Sequence, residues 1–230
     1  MPTLTRPDAR RRTAGVIALV CALAFVSLRF TVVAGGRAPL PVDTWWDELM
    51  LSILSPVGVV AAWVPAIVGG TIGMIVLGVV GVAAFAWRRR PWDAASLGLS
   101  IAVVVAIGAP MAAVIARLRP SESLAESVPT SFPSGHTAVA TASAVALGLI
   151  FRRGWVWVVG ITWALTMAVS RTYLHAHWLT DVVAGLLEGA TVATLVWCIL
   201  ETIREKRALS RVSDAPDDTA QVLPAADAGQ

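Results

Sequence analysis

The sequence predicts an all-α, polytopic membrane protein: six transmembrane helices with the polar chemistry gathered at the outer face. Three observations carry that expectation. Of 230 residues, 57% are hydrophobic and 14% charged, and the mean hydropathy is +0.73; a soluble domain of this composition would lack the polar surface to cover itself. Six apolar segments can be marked off, each near the roughly 20 residues that cross a bilayer as a helix. Arginine clusters stand at alternate segment boundaries, as topogenic charge does. The length suits a single domain.

Residues 1–13, with Arg10, Arg11 and Arg12, are expected to be a cytoplasmic basic segment. The first apolar segment runs from Ala14 to Ala34. It is long for a cleaved leader and no small-residue cleavage site closes it, so a membrane span is expected. Pro39 to Ser55, with Trp45 and Trp46, reads as an amphipathic helix in the interface, where tryptophan favours the headgroup level. Asp43, Asp47 and Glu48 are expected on its solvated face. The second segment lies within Val57 to Trp87 and stops at Arg88-Arg89-Arg90-Pro91. The third, Ala94 to Ala116, ends at Arg117-Leu118-Arg119-Pro120. A polar loop, Ser121 to Phe132, leads to the fourth, Gly135 to Phe151, and Arg152-Arg153 connect that tightly to the fifth, Trp155 to Val169. The sixth runs from Leu179 to Ile203. The six-helix domain is thus 14–203, and the charged stretch 204–230 is expected to be a disordered cytoplasmic tail.

Arg10 to Arg12, Arg88 to Arg90, Arg152-Arg153 and Arg204 with Lys206-Arg207 fall on one side, which the positive-inside rule makes cytoplasmic. Both termini then lie inside. The arginines at 88–90 and 152–153 are expected to act in topology alone. The net charge of +3 is therefore no nucleic-acid footprint. Lys206 is the one lysine among 18 basic residues; with abundant Ala, Val and Gly this suggests a GC-rich bacterial genome and a plasma-membrane location. Cys21 and Cys198 sit inside apolar segments and give no disulfide framework.

The remaining polar residues converge at the outer face: Arg119-Pro120, Pro133-Ser134-Gly135-His136, and Ser170-Arg171 followed by His177 and Asp181. Ionisable groups beside membrane segments are costly and mark working sites. Ser134 suits the N-cap of the fourth segment and Gly135 admits a ligand to the backbone, so the free N–H groups there form an anion site. Arg119 and Arg171 add planar forks suited to phosphate oxygens. His177 and Asp181 are four apart and share a helix face, so the carboxylate can hold one imidazole nitrogen and leave the other as a nucleophile. His175 stands six from Asp181, lacks that relation, and is expected to be structural.

These residues resemble the type 2 phosphatidic acid phosphatase (lipid phosphate phosphatase) superfamily, which also includes vanadium haloperoxidases. Its pattern has three parts: Lys-x6-Arg-Pro, Pro-Ser-Gly-His and Ser-Arg-x5-His-x3-Asp. The second and third match without substitution. In the first, Ala112 stands where the family places lysine, and Arg117, Arg29 and Arg37 are the candidate replacements. The resemblance implies a phosphatase acting on a lipid phosphate in the bilayer, with no cofactor and no metal. His177 is then the nucleophile that forms a phosphohistidine, Asp181 orients it, and His136 is the general acid and then base. Arg119, Arg171, Ser134 and Gly135 hold the phosphate. A polyprenyl pyrophosphate is the favoured substrate. The alternatives weighed are a lipid-to-lipid phosphotransferase of the same family, a zinc enzyme, a serine hydrolase, and a transporter or catalytically degenerate binding protein. Glu188, seven residues past Asp181, is expected to hydrogen-bond a neighbouring helix, and Arg29 to snorkel towards water. Nothing in the pattern specifies an oligomeric state.

Overall fold

A computed structural model describes residues 6–125 and 128–213. Among them run α1 (Arg6–Ala34), α2 (Pro41–Ser52), α3 (Pro56–Val68), α4 (Thr71–Trp87), α5 (Pro91–Ile115), α6 (Gly135–Phe151), α7 (Gly154–Tyr173) and α8 (Leu179–Ser213). The class is all-α, as composition predicts. Proline in the first turn of α2, α3 and α5 fixes where each begins, because its missing N–H and preset φ cost nothing there. Ser55 caps α3 by accepting the Gly58 N–H at 3.1 Å.

Each of the six expected segments has a helical counterpart, but the second is a bent pair. α3 and α4 meet at 43° across Gly69 and Gly70. A Cβ on Gly69 would lie 2.0 Å from Met167, and one on Gly70 would lie 2.8 Å from the Ala66 carbonyl oxygen. Pro65, one turn earlier, removes a further backbone donor. α1, α5 and α8 are each long and apolar enough to cross a bilayer, and the bent pair counted as one span makes four. α6, at 17 residues, is shorter, so length and composition alone do not carry the expected count to six. In α1 and α5 only 17% of the most apolar stretch is buried inside the protein. Their outward apolar side chains call for hydrocarbon around them.

α6 lies at the centre, packed on α5, α7 and α8, while α1 lies along α8, α4 along α5 and α3 along α7. Lipid tails are as apolar as leucine, so helices in membranes associate through close packing of small residues. α6 buries Ala138, Ala140, Ala142, Ala144 and Ala146. α8 meets it through Gly185 and Gly189, where an added Cβ would fall 2.6 Å from the Ser134 carbonyl oxygen and 2.3 Å from that of Ala138. This approach draws the N-termini of α6 and α8 together: the Ser134 N–H donates to the Asp181 carbonyl at 3.0 Å.

One expectation is corrected. α8 continues to Ser213, so residues 204–213 are helix rather than disordered tail; Arg11 of α1 pairs with Glu205 at 2.5 Å and gives that stretch a partner the sequence does not display. Residues 214–230 lie outside the described residues. Of the basic segment 1–13, the residues from Arg6 onward belong to α1.

Overpacking a tight helix contact costs about 1–3 kcal/mol. Gly189→Ala is expected to lower stability by that much, seen as a fall in the thermal unfolding midpoint in detergent, whereas Gly15→Ala, where a Cβ meets nothing within 4 Å, does not lower the midpoint.

Candidate active site

The chain leaves α7 at Tyr173 and turns sharply. His175 takes φ +49°, and the N–H groups of Ala176 and His177 donate to the Arg171 carbonyl at 3.0 and 3.3 Å. On the other side, the segment after α5 folds back on itself: Leu118 and Thr130 form an isolated antiparallel bridge and the Ser131 N–H donates to the Arg117 carbonyl at 2.8 Å. His177 is buried between these two turns, 4% exposed. Its Nδ1 lies 2.8 Å from the Ser131 carbonyl oxygen and 3.8 Å from Asp181 Oδ2. A carbonyl only accepts, so Nδ1 carries the hydrogen and Nε2 keeps the lone pair. The direct partner of Nδ1 is thus Ser131, while Asp181 adds negative charge from a slightly greater distance.

Asp181 is itself held from two sides. Its Oδ1 accepts from Arg117 Nη1 at 2.5 Å; its Oδ2 accepts the Trp178 N–H at 3.0 Å, capping the start of α8. Arg117 follows Ala116, which closes α5 in the left-handed region with φ +48°, and this turn aims the guanidinium inward. Its Nη2 donates to Asp43 Oδ2 at 2.7 Å. Asp43 also accepts from the Thr180 N–H (2.8 Å), the Thr180 hydroxyl (2.9 Å) and the Leu40 N–H (2.9 Å). Asp43, Arg117 and Asp181 are all 0% exposed.

The solvated face expected for α2 is therefore wrong at Asp43, whose partners lie 74 and 137 residues away. Asp47 also turns inward, onto His175 Nδ1 at 2.7 Å, while Glu48 is exposed as expected. His175 is fully buried, in keeping with a structural role. Arg117 is not a substitute for the lysine missing at Ala112, because both its Nη groups are committed to carboxylates.

Arg119 stands against Nε2 of His177, and Arg171 and His136 lie near enough to interact electrostatically with the ring. Arg119 Nη1 is 3.1 Å from Nε2; the same guanidinium donates to the Val128 carbonyl at 2.6 Å and to that of Ala176, which fixes its plane. Arg171 is 1% exposed. Ser134 sits at the N-cap of α6, but its hydroxyl pairs with that of Thr137 at 3.1 Å and makes no cap bond. Gly135 is exposed, and a Cβ there would meet nothing within 4 Å, so the first turn of α6 is open to a ligand. His136 is half-buried beside the α3–α4 bend, its Nε2 3.8 Å from where a Gly70 Cβ would stand, and it feels the charges of Arg171, His177 and Arg119. Among the described residues no three His, Cys, Asp or Glu side chains converge to hold a metal ion.

Burial pushes the His177 imidazole below its ordinary value of 6.5, Arg119 and Arg171 push the same way, and Asp181 opposes them. Glu188 is 3% exposed, with neither carboxylate oxygen hydrogen-bonded among the described residues; the bond expected to a neighbouring helix is not made, and Gly108 of α5 leaves the space it occupies. Arg29 lies over the Phe30 ring at 5.9 Å.

Comparison with known proteins adds to this geometry. Residues 93–205 match the PAP2 superfamily. The chain is 36% identical over 107 residues to an undecaprenyl-diphosphatase of Sulfolobus acidocaldarius, covering 44% of this chain and 52% of that one. It is 33% identical over 130 residues to a decaprenylphosphoryl-5-phosphoribose phosphatase of Mycobacterium tuberculosis, covering 54% of this chain and 70% of the relative. It thus spans about half the length of the first and more of the second. The crystal structure of a transmembrane PAP2 type phosphatidylglycerolphosphate phosphatase from Bacillus subtilis superposes with a TM-score of 0.68 over 82% of this chain and 96% of that one, at 21% identity, which shows a shared fold.

Removing one member of a buried ion pair leaves the other charge uncompensated, at about 3–5 kcal/mol. Arg117→Leu is expected to lower stability by that amount, measured by thermal unfolding in detergent, because it orphans Asp43 and Asp181 together.

Proposed function

This chain belongs to the PAP2 superfamily, and on that premise we propose that it is a metal-independent membrane lipid phosphatase that works through a phosphohistidine on His177. The carrying observation is the buried His177 ring, its Nδ1 on the Ser131 carbonyl at 2.8 Å and its Nε2 beside Arg119 at 3.1 Å. A phosphate entering over the open first turn of α6 takes the N–H donors of Arg119, Arg171 and Gly135 on its equatorial oxygens. Nε2 attacks phosphorus as the bond to the leaving oxygen breaks, and His136 gives that oxygen its proton. His136 then takes a proton from water, whose oxygen attacks the phosphohistidine and releases inorganic phosphate with the ring restored. The positive charge that the ring carries while phosphorylated faces Asp181. With Ala112 in place of a lysine and Arg117 committed elsewhere, phosphate binding rests on two arginines and the helix terminus.

A polyprenyl diphosphate is the favoured substrate: two relatives are named for polyprenyl lipids. The arginine clusters at the opposite end of the bundle support an orientation in a bacterial plasma membrane with that end towards the cytoplasm and the site on the outer side. Purified protein offered polyprenyl diphosphate, phosphatidylglycerol phosphate or phosphatidic acid, one at a time, is expected to release inorganic phosphate fastest from the first. His177→Ala is expected to release none. His136→Gln is expected to lose about 10²–10⁴-fold in rate. Phosphate appearing on a second lipid would make the protein a transferase, and neither product would make it a transporter or an inactive binder.

The pH profile follows from the position of the His177 proton. Attack needs the neutral ring, and a pKa below 6.5 keeps it neutral at pH 7 and charges it only further into acid. The acid limb of kcat/KM is therefore expected below 6.5, and Asp181→Asn, which removes the group that raises this pKa, is expected to shift the limb lower still on the same substrate.

A further inference from the structure

The end of the bundle opposite the catalytic residues is not featureless. Along α8, Glu201 stands twenty residues past Asp181, about 30 Å at a helical rise of 1.5 Å per residue, which matches the hydrocarbon thickness of a bilayer. There the N-terminus of α5, the C-terminus of α6 and the last membrane turns of α8 enclose a cleft of about 370 Å³. Arg89, Arg90, Arg152 and Arg204 line it against two carboxylates, Asp93 and Glu201.

The arginines are unequally engaged. Arg90 is committed, bound to Asp93 at 2.6 Å and lying over the Phe85 and Phe151 rings. Arg152 and Arg204 share the single carboxylate of Glu201 at 3.8 and 3.7 Å, beyond hydrogen-bond length, and both are more than half exposed. Arg89 makes no side-chain hydrogen bond or ion pair among the described residues, so the cleft keeps unmatched positive charge. Arg89 and Arg152 each hold φ +55°, at the ends of α4 and α6, where glycine is the usual residue. Pure topogenic charge would be served by arginine a residue away, in relaxed backbone. The cleft is also amphipathic: Trp92 and Trp197 border it, and Leu149 and Ile150 form its apolar side. Tryptophan at this depth belongs with lipid headgroups, and an apolar wall suits an amphiphile better than a free ion.

We propose that this cleft binds the headgroup of an anionic phospholipid from the leaflet on the arginine side, as a site separate from the catalytic one. Arg89, Arg152 and Arg204 supply the phosphate donors, and Trp92, the more exposed of the two tryptophans, flanks the glycerol region. The proposal rests on the membrane placement of the chain and is independent of the reaction at His177.

The test is native mass spectrometry of the full chain released from nanodiscs of phosphatidylcholine doped with phosphatidylglycerol. The wild type is expected to retain phosphatidylglycerol over phosphatidylcholine by ~10-fold or more. Arg89→Asn with Arg152→Asn, asparagine being tolerated in the left-handed conformation, is expected to abolish the preference, and Arg204→Gln to weaken it. Arg10→Asn with Arg12→Asn, which removes equal charge from the same end, is expected to leave it intact. Unchanged retention in both cleft variants, or equal loss in the control, would overturn the site in favour of diffuse surface attraction. Displacement of the lipid by millimolar inorganic phosphate would overturn the lipid assignment in favour of a free-anion site. Phosphate release by the cleft variants in pure phosphatidylcholine, expected at the wild-type rate, shows that they are folded.

Discussion

One arginine between two carboxylates, all three sealed from solvent, is the constraint on which the rest of the site depends. Burying three charges is expensive, and the cost is offset by close geometry and further hydrogen bonds to the charged groups; of the Arg117 guanidinium, both Nη groups are bonded and Nε has no partner among the described residues. Asp43 meets that demand with four donors, and Asp181 with Arg117 and the Trp178 N–H. The consequence is mechanical as well as electrostatic. The interfacial helix α2, the exit from α5 and the start of α8 must all be in place before the charges balance, and the same turns present the Ser131 carbonyl and Asp181 to His177. The ring that is proposed to react is oriented by groups whose positions are set by a salt bridge that reaches it through Asp181 alone, at 3.8 Å.

Much of this was legible in the sequence, for identifiable reasons. Composition and six apolar runs predict the helices, because apolar length is what a bilayer selects. The three polar stretches converge because each follows or precedes a helix end on the same side. The i,i+4 relation of His177 and Asp181 survives as proximity, at 3.8 Å. What failed was whatever depends on contacts distant in sequence. Asp43 and Asp47 look like the wet side of an amphipathic helix until Arg117, Thr180 and His175 are seen to meet them. Ser131 acts through its backbone carbonyl, which no side-chain pattern reveals. Arg117 looked like a spare cation for phosphate, and only the left-handed turn at Ala116 shows that it points the other way. The helix at 204–213 also meets Arg11, nearly two hundred residues earlier, through Glu205.

The close approach of α6 and α8 through Gly185 and Gly189 ties membrane packing to the chemistry. A pair of helices separated by larger side chains would hold the α6 N-terminus and Asp181 apart, and the Ser134 N–H would lose the Asp181 carbonyl. Along the same helix the two polar ends stand a bilayer's thickness from one another. One end is built from buried, paired charges around histidines; the other from more exposed arginines sharing fewer carboxylates beside Trp92. On the two proposals made above, that contrast separates a site organised for covalent chemistry from one suited to holding an amphiphile.

The central claim is that Nε2 of His177 is the attacking atom because Ser131 holds the proton on Nδ1. It is tested most directly by quenching the protein in alkali during turnover of a ³²P-labelled polyprenyl diphosphate and locating the label. The account predicts phosphate on His177, bonded to Nε2. Label on Nδ1, label on another residue, or turnover with no phosphoenzyme in a quench fast enough to resolve it would contradict the account.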